Sequence, residues 1–140
     1  MEFNISAPSE LAAVVNDMVS YADGRKIWVF EGSMGAGKTT CIKAICKKFE
    51  VIDETSSPTF SLVNVYRTAQ NDELYHFDFY RIEQQMEAVD IGCDEYFYSG
   101  NYCFIEWPER IPDLIPEHYL KISIKLDNEN RRIISLTKDD

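Results

Sequence analysis

Basic residues are scarce in this chain. Lysine and arginine number 14 against 24 aspartates and glutamates, a formal net charge of −10 over 140 residues. Nucleic-acid binding draws most of its affinity from Lys and Arg on phosphates, so unaided binding to RNA or DNA is not expected, whereas a basic protein partner is easily accommodated. Long hydrophobic runs are also lacking. No stretch approaches the ~20 apolar residues that span a bilayer, so no membrane role is expected. Met1-Glu2-Phe3-Asn4-Ile5 lacks the basic region and apolar run of a secretory leader. Cys41, Cys46, Cys93 and Cys103 form no C-x-x-C pair; they read as reduced, mostly buried thiols of a cytoplasmic protein. Internal repeats, low-complexity tracts and linkers are absent, and the length suits one domain over residues 1–140.

What is present is a phosphate loop. Gly32-Ser33-Met34-Gly35-Ala36-Gly37-Lys38-Thr39 matches G-x-x-x-x-G-K-[ST] in full. Glycines let consecutive N–H groups turn inward and come close to a polyphosphate. In such a loop the lysine, here Lys38, reaches the β- and γ-phosphates, and the Thr39 hydroxyl ligates Mg²⁺. The context agrees. Ile27-Trp28-Val29-Phe30 reads as a buried strand. Thr40 to Phe49 contains no Pro or Gly and reads as a helix whose positive N-terminal end faces the phosphates.

The remaining pattern is mixed. Ser9 to Ala22 reads as a helix, with Pro8 at its start and Asp23-Gly24 as its stop. Leu62 to Arg67 and Glu73 to Tyr80 read as strands across a Thr68–Asp72 turn, Glu83 to Val89 as a short helix and Tyr102 to Ile105 as a buried strand. Pro108 to Leu114 reads as a helical turn interrupted by Pro112. Tyr119 to Leu126 and Arg131 to Thr137 form a C-terminal hairpin across Asp127–Asn130. The expectation is a three-layer α/β fold of the P-loop NTPase type, with a mixed central sheet and a C-terminal β-hairpin.

Three further places carry chemistry. A phosphate loop needs a second acid near Mg²⁺, usually an Asp ending a neighbouring strand. Here Tyr102-Cys103-Phe104-Ile105 ends in Glu106, which can hold the metal or one of its waters; the alternative is a solvated residue capping a strand. In Tyr75-His76-Phe77-Asp78-Phe79-Tyr80-Arg81, alternation puts Tyr75, Phe77 and Phe79 on one face and His76, Asp78 and Tyr80 on the other. Asp78 can orient water, act as base or pair with Lys38, or else form a surface pair with Arg81. His76 reads as a structural hydrogen-bonding residue rather than a catalyst. Ser57-Pro58-Thr59-Phe60 lies where nucleotide hydrolases carry a γ-phosphate switch, though the residues alone read rather as a plain Pro-containing turn.

Together these residues resemble the TsaE family, formerly called YjeE. The resemblance rests on G-x-x-G-A-G-K-T-T at Gly32 to Thr40, S-P-T-F at Ser57 to Phe60, H-F-D-F-Y-R at His76 to Arg81 and I-E-W-P-E at Ile105 to Glu109. It implies a P-loop ATPase that binds ATP and Mg²⁺. It also implies work beside a TsaD–TsaB pair that transfers threonylcarbamoyl to adenosine 37 of tRNA, which this chain would reach only through the complex. ATP hydrolysis would support turnover of that machinery without performing the transfer. By the same resemblance Gly35, Ala36, Gly37, Lys38, Thr39 and Thr40 hold the phosphates, and Thr39 with Glu106 holds Mg²⁺. Thr59, Asp78 and Trp107 belong to the motifs tied to ATPase function, and Arg131 sits by the nucleotide. Two other classes remain. A small-molecule kinase needs an acceptor site and commonly an arginine-bearing lid; the six arginines here are scattered. A GTPase-like switch would carry N-K-x-D, and no such run occurs.

Overall fold

Ile27-Trp28-Val29-Phe30 is buried at every position, as a strand covered on both faces must be. It is the centre of a computed structural model that describes residues 1–33, 35–53, 55 and 62–139. The strands are β1 (Glu2–Ile5), β2 (Ile27–Glu31), β3 (Val63–Arg67), β4 (Glu73–Asp78), β5 (Cys103–Glu106), β6 (Tyr119–Leu126) and β7 (Arg132–Lys138). They form one sheet in the order β1-β7-β6-β2-β5-β4-β3. The inner strands β6, β2, β5 and β4 run parallel. The flanks are antiparallel: β3 on β4, β7 on β6, and β1 on β7. The sheet is therefore mixed and closes on a C-terminal hairpin, as expected.

Two apolar layers lie on opposite faces, set by the two-residue alternation of β2 and β5. Trp28, Phe30 and Phe104 pack with helices α1 (Leu11–Ala22) and α2 (Lys38–Lys48). Ile27, Val29, Cys103 and Ile105 pack with Tyr75 and Phe77 of β4 and with the short helices α3 (Met86–Asp90) and α4 (Cys93–Phe97). Phe77 is the hub of that second layer, its ring centroid 5.0 Å from Phe97 and 5.6 Å from both Phe79 and Tyr96. α1 begins after a 3-10 turn at Pro8–Glu10. It ends where Asp23 adopts a left-handed conformation ahead of Gly24, the stop that Asp-Gly predicts.

Two elements lie outside the sequence expectations. β1 pairs with β7 across nearly the whole chain, Glu2 opposite Ser135 and Ile5 opposite Arg132. α4 follows Gly92, which takes φ of 79°, and is held by burial of Cys93 and Phe97 rather than by its own helical length. All four cysteines are buried and free. Burial pushes the thiols of Cys41, Cys46 and Cys103 up to about 12 and that of Cys93 to about 11, so none is a poised nucleophile. Among the described residues no helix is long and apolar enough to cross a membrane.

Candidate functional site

The phosphate loop leaves the C-terminal end of β2 and runs straight into α2. Its glycines do distinct work. Gly35 and Gly37 take φ of 80° and 107°, which L side chains rarely adopt. A Cβ on Gly32 would sit 2.7 Å from the Ile124 carbonyl of β6, so only glycine lets the loop leave so close to that strand. The loop borders a cavity of about 300 Å³ lined by Gly35, Gly37, Thr39, Thr40 and Arg132 on one side and by Asp78, Tyr80, Glu106 and Trp107 on the other, with Lys38 between them.

Lys38 is buried. Its Nζ donates to the Gly32 carbonyl at 2.7 Å and lies 3.7 Å from the centroid of the Trp107 ring. Burial pulls the ammonium below the usual lysine range and outweighs the opposing pull of Glu106, Glu109 and Asp78. Trp107 itself is left-handed, φ 59° and ψ 51°, a costly conformation for an aromatic residue directly before a proline. The Tyr80 ring, with its centroid 4.9 Å away, and the Lys38 ammonium flank it. A bulky residue held in a sparsely populated backbone region beside a phosphate loop stores strain on the order of 1–3 kcal/mol.

Parallel pairing sets Asp78 of β4 opposite Glu106 of β5. Both carboxylates therefore leave the ends of adjacent strands on the face that carries α2. Glu106 is buried, so it is not a solvated strand cap. Its Oε1 accepts from the Thr39 hydroxyl at 3.5 Å and its Oε2 lies 2.7 Å from His76 Nε2. Asp78 accepts from the Tyr80 N–H at 3.0 Å. Burial pushes its carboxyl above the usual aspartate range, the Tyr80 N–H opposes this, and the charge of Glu106 adds to it. No ion pair joins Asp78 to Arg81 among the described residues. A hydroxyl and a carboxylate are hard oxygen donors that suit Mg²⁺. Among the described residues no group of three or more His, Cys, Asp and Glu forms a metal cage. The Thr39 hydroxyl and the Glu106 carboxylate are donors of a kind that fits a Mg²⁺ ion.

Most of the expected residues converge here: Gly35, Gly37, Lys38, Thr39, Thr40, Asp78, Glu106 and Trp107 all line the cavity. Ala36 is buried behind the loop, its carbonyl accepting from Arg132 Nε at 3.0 Å. Thr59, with the rest of Ser57–Phe60, lies outside the described residues. Arg131 is the exception. It is exposed and points into its own turn, with Nε 3.0 Å from Asp127 and Nη2 3.2 Å from Glu129. Arg132 is the arginine at the site, so near Gly37 that any Cβ there would collide with its guanidinium. Strand alternation carries the signal: Arg132 shares a face with buried Ile134 and Leu136, toward α1 and α2, whereas Arg131 precedes the strand.

A family model described as "Threonylcarbamoyl adenosine biosynthesis protein TsaE" matches residues 5–134. The chain is 35% identical to the Bacillus subtilis protein named tRNA threonylcarbamoyladenosine biosynthesis protein TsaE, over 93% of this chain and 80% of that one. It is 35% identical to the Treponema pallidum protein of the same name, over 77% and 78%. The crystal structure of Bacillus subtilis YdiB superposes with a TM-score of 0.79 at 28% identity, covering all of this chain and 86% of the other. With the family model spanning almost its whole length, the chain belongs to the TsaE family of threonylcarbamoyladenosine biosynthesis proteins.

Proposed function

We propose that this protein binds ATP with Mg²⁺ and hydrolyses it to ADP and phosphate, in support of the enzymes that modify tRNA adenosine with threonylcarbamoyl. The observation that carries the reading is the meeting of Lys38, the Thr39 hydroxyl and the Glu106 carboxylate at the mouth of a glycine-shaped phosphate loop. Backbone N–H groups of Gly35 to Thr40 bind the phosphates. Lys38 exchanges the Trp107 ring for phosphate oxygens. Thr39 and Glu106 hold Mg²⁺, which when bound offsets charge developing on the phosphates. Asp78, half-buried at the same wall, orients the attacking water or takes its proton. Arg132 holds the loop through Ala36 and lies beside the phosphates. Thr59 acts as the γ-phosphate sensor.

The partners are proteins, the TsaD–TsaB pair, and tRNA is reached only through them. The net charge of −10 disfavours direct RNA contact. The first test is incubation with ATP and Mg²⁺, with no phosphoryl acceptor added. Release of ADP and inorganic phosphate, lost at least 100-fold in a folded Lys38→Ala variant, is expected. ATP left intact until an acceptor is supplied would make the protein a kinase. The second test is binding to TsaD–TsaB and to bare tRNA with ATP, ADP or neither. Partner binding that depends on the nucleotide is expected; tight binding of bare tRNA at physiological salt would overturn the proposal.

A further inference from the structure

Glu106 is held from behind. His76 is 1% exposed, and its Nε2 lies 2.7 Å from Glu106 Oε2. Its Nδ1 lies 3.4 Å from the Tyr66 hydroxyl, which accepts from Asn64 Nδ2 at 3.2 Å. A carboxylate only accepts hydrogen bonds, so Nε2 carries the proton that goes to Glu106. In the tautomer with Nδ1 unprotonated, that nitrogen accepts from the Tyr66 O–H, while the Tyr66 oxygen accepts from Asn64. Donation then runs in one direction, from Asn64 through Tyr66 and His76 to Glu106. Sheet register builds the row: Asn64 of β3 sits opposite His76 of β4, and His76 is one same-face step from Asp78, the partner of Glu106.

We infer that His76 is a positioning residue for the metal side of the site. It occupies Glu106 Oε2 and turns Oε1 toward Thr39, so that one carboxylate oxygen faces Mg²⁺ or its water. Buried imidazoles that fix a neighbouring group's orientation in this way commonly contribute 10- to 100-fold to metal affinity. The inference rests on the reading of Glu106 as the acid at the metal. It goes beyond that reading by tying the acid to β3, the strand that follows the Ser57–Phe60 motif in the chain.

The test uses Mn²⁺, followed by electron paramagnetic resonance in the presence of saturating ADP, together with ADP affinity in excess EDTA. His76→Phe keeps the ring volume and removes the donor. His76→Gln keeps a donor near the position of Nε2. The expected result is a loss of Mn²⁺ affinity of about 10-fold in His76→Phe, unchanged metal-free ADP affinity and substantial recovery in His76→Gln. In a Glu106→Gln background, His76→Phe should add nothing further. Should His76→Phe not fold, His76→Asn withdraws the donor with a shorter polar side chain and enters the same comparison. Wild-type Mn²⁺ affinity in the histidine variants, with a loss in Glu106→Gln, overturns the role of His76 alone. An unchanged affinity in Glu106→Gln overturns the metal reading beneath it. Equal loss of metal-bound and metal-free binding makes His76 a packing residue and also overturns the inference.

Discussion

On the side of the sheet that carries α3 and α4, Tyr75, Phe77, Phe79 and Ile105 bury against Cys93 and Phe97 in an apolar and aromatic layer. On the side that carries α1 and α2, Trp28, Phe30 and Phe104 build an equally dry layer, but the strand ends above it carry His76, Asp78 and Glu106. The strands are the same; only the alternating residues differ. One face can therefore be judged by packing alone. The other must keep a buried lysine, imidazole and carboxylate in place, and such groups are tolerated only when partnered. Among the described residues no buried side-chain nitrogen or oxygen lacks a partner.

The largest expected effect breaks the packed face without touching the site. Phe77 is fully buried among three aromatic rings. Phe77→Ala should cost about 3–5 kcal/mol of stability through lost burial and the cavity left behind. Urea unfolding measures the loss, and ADP affinity of the remaining folded protein should match the unsubstituted chain. A drop in ADP affinity under fully native conditions would show that the two faces are not separable.

A smaller effect sharpens the polar face. Arg132→Ala removes the guanidinium that crosses Ala36 and Gly37 and should weaken ADP binding about 10-fold, or ~1.4 kcal/mol. Arg131→Ala should leave it unchanged, because that side chain is engaged with Asp127 and Glu129. Isothermal titration of both variants decides which arginine serves the nucleotide.

These contrasts also mark what was legible in the residues. The phosphate loop, the buried strands and the opposite faces of His76–Asp78 and Tyr75–Phe77 are local patterns, and a period of two or a glycine spacing suffices to read them. β1 is four residues long and has meaning only beside β7, 130 positions later. The link from His76 to Glu106 depends on the parallel register of β4 and β5, which no local pattern carries. Which arginine borders the cavity follows from the alternation of β7, which groups Arg132 with Ile134 and Leu136, whereas the turn before it holds Arg131 against Asp127 and Glu129.

The smallest effect concerns the cost of the polar face itself. Asp78 is half-buried, and burial together with the Glu106 charge holds its carboxyl above the usual aspartate range. A carboxyl whose folded value is raised binds its proton more readily folded than unfolded. The cost of ionising it is therefore fully present above the folded value and shrinks as pH falls through that value. Asp78→Asn keeps an oxygen for the Tyr80 N–H and removes the charge. Without nucleotide at pH 7 it should stabilise the protein slightly, by about 0.5 kcal/mol once solvent screening at a half-exposed site is allowed for. The advantage should narrow in mildly acidic buffer, and ATP turnover should fall at every pH. Thermal melts at pH 5 and pH 7 read the first two outcomes. A variant less stable than the original at pH 7 would mean that Asp78 holds the fold together as an ion, and that the polar face is maintained by its charges rather than in spite of them.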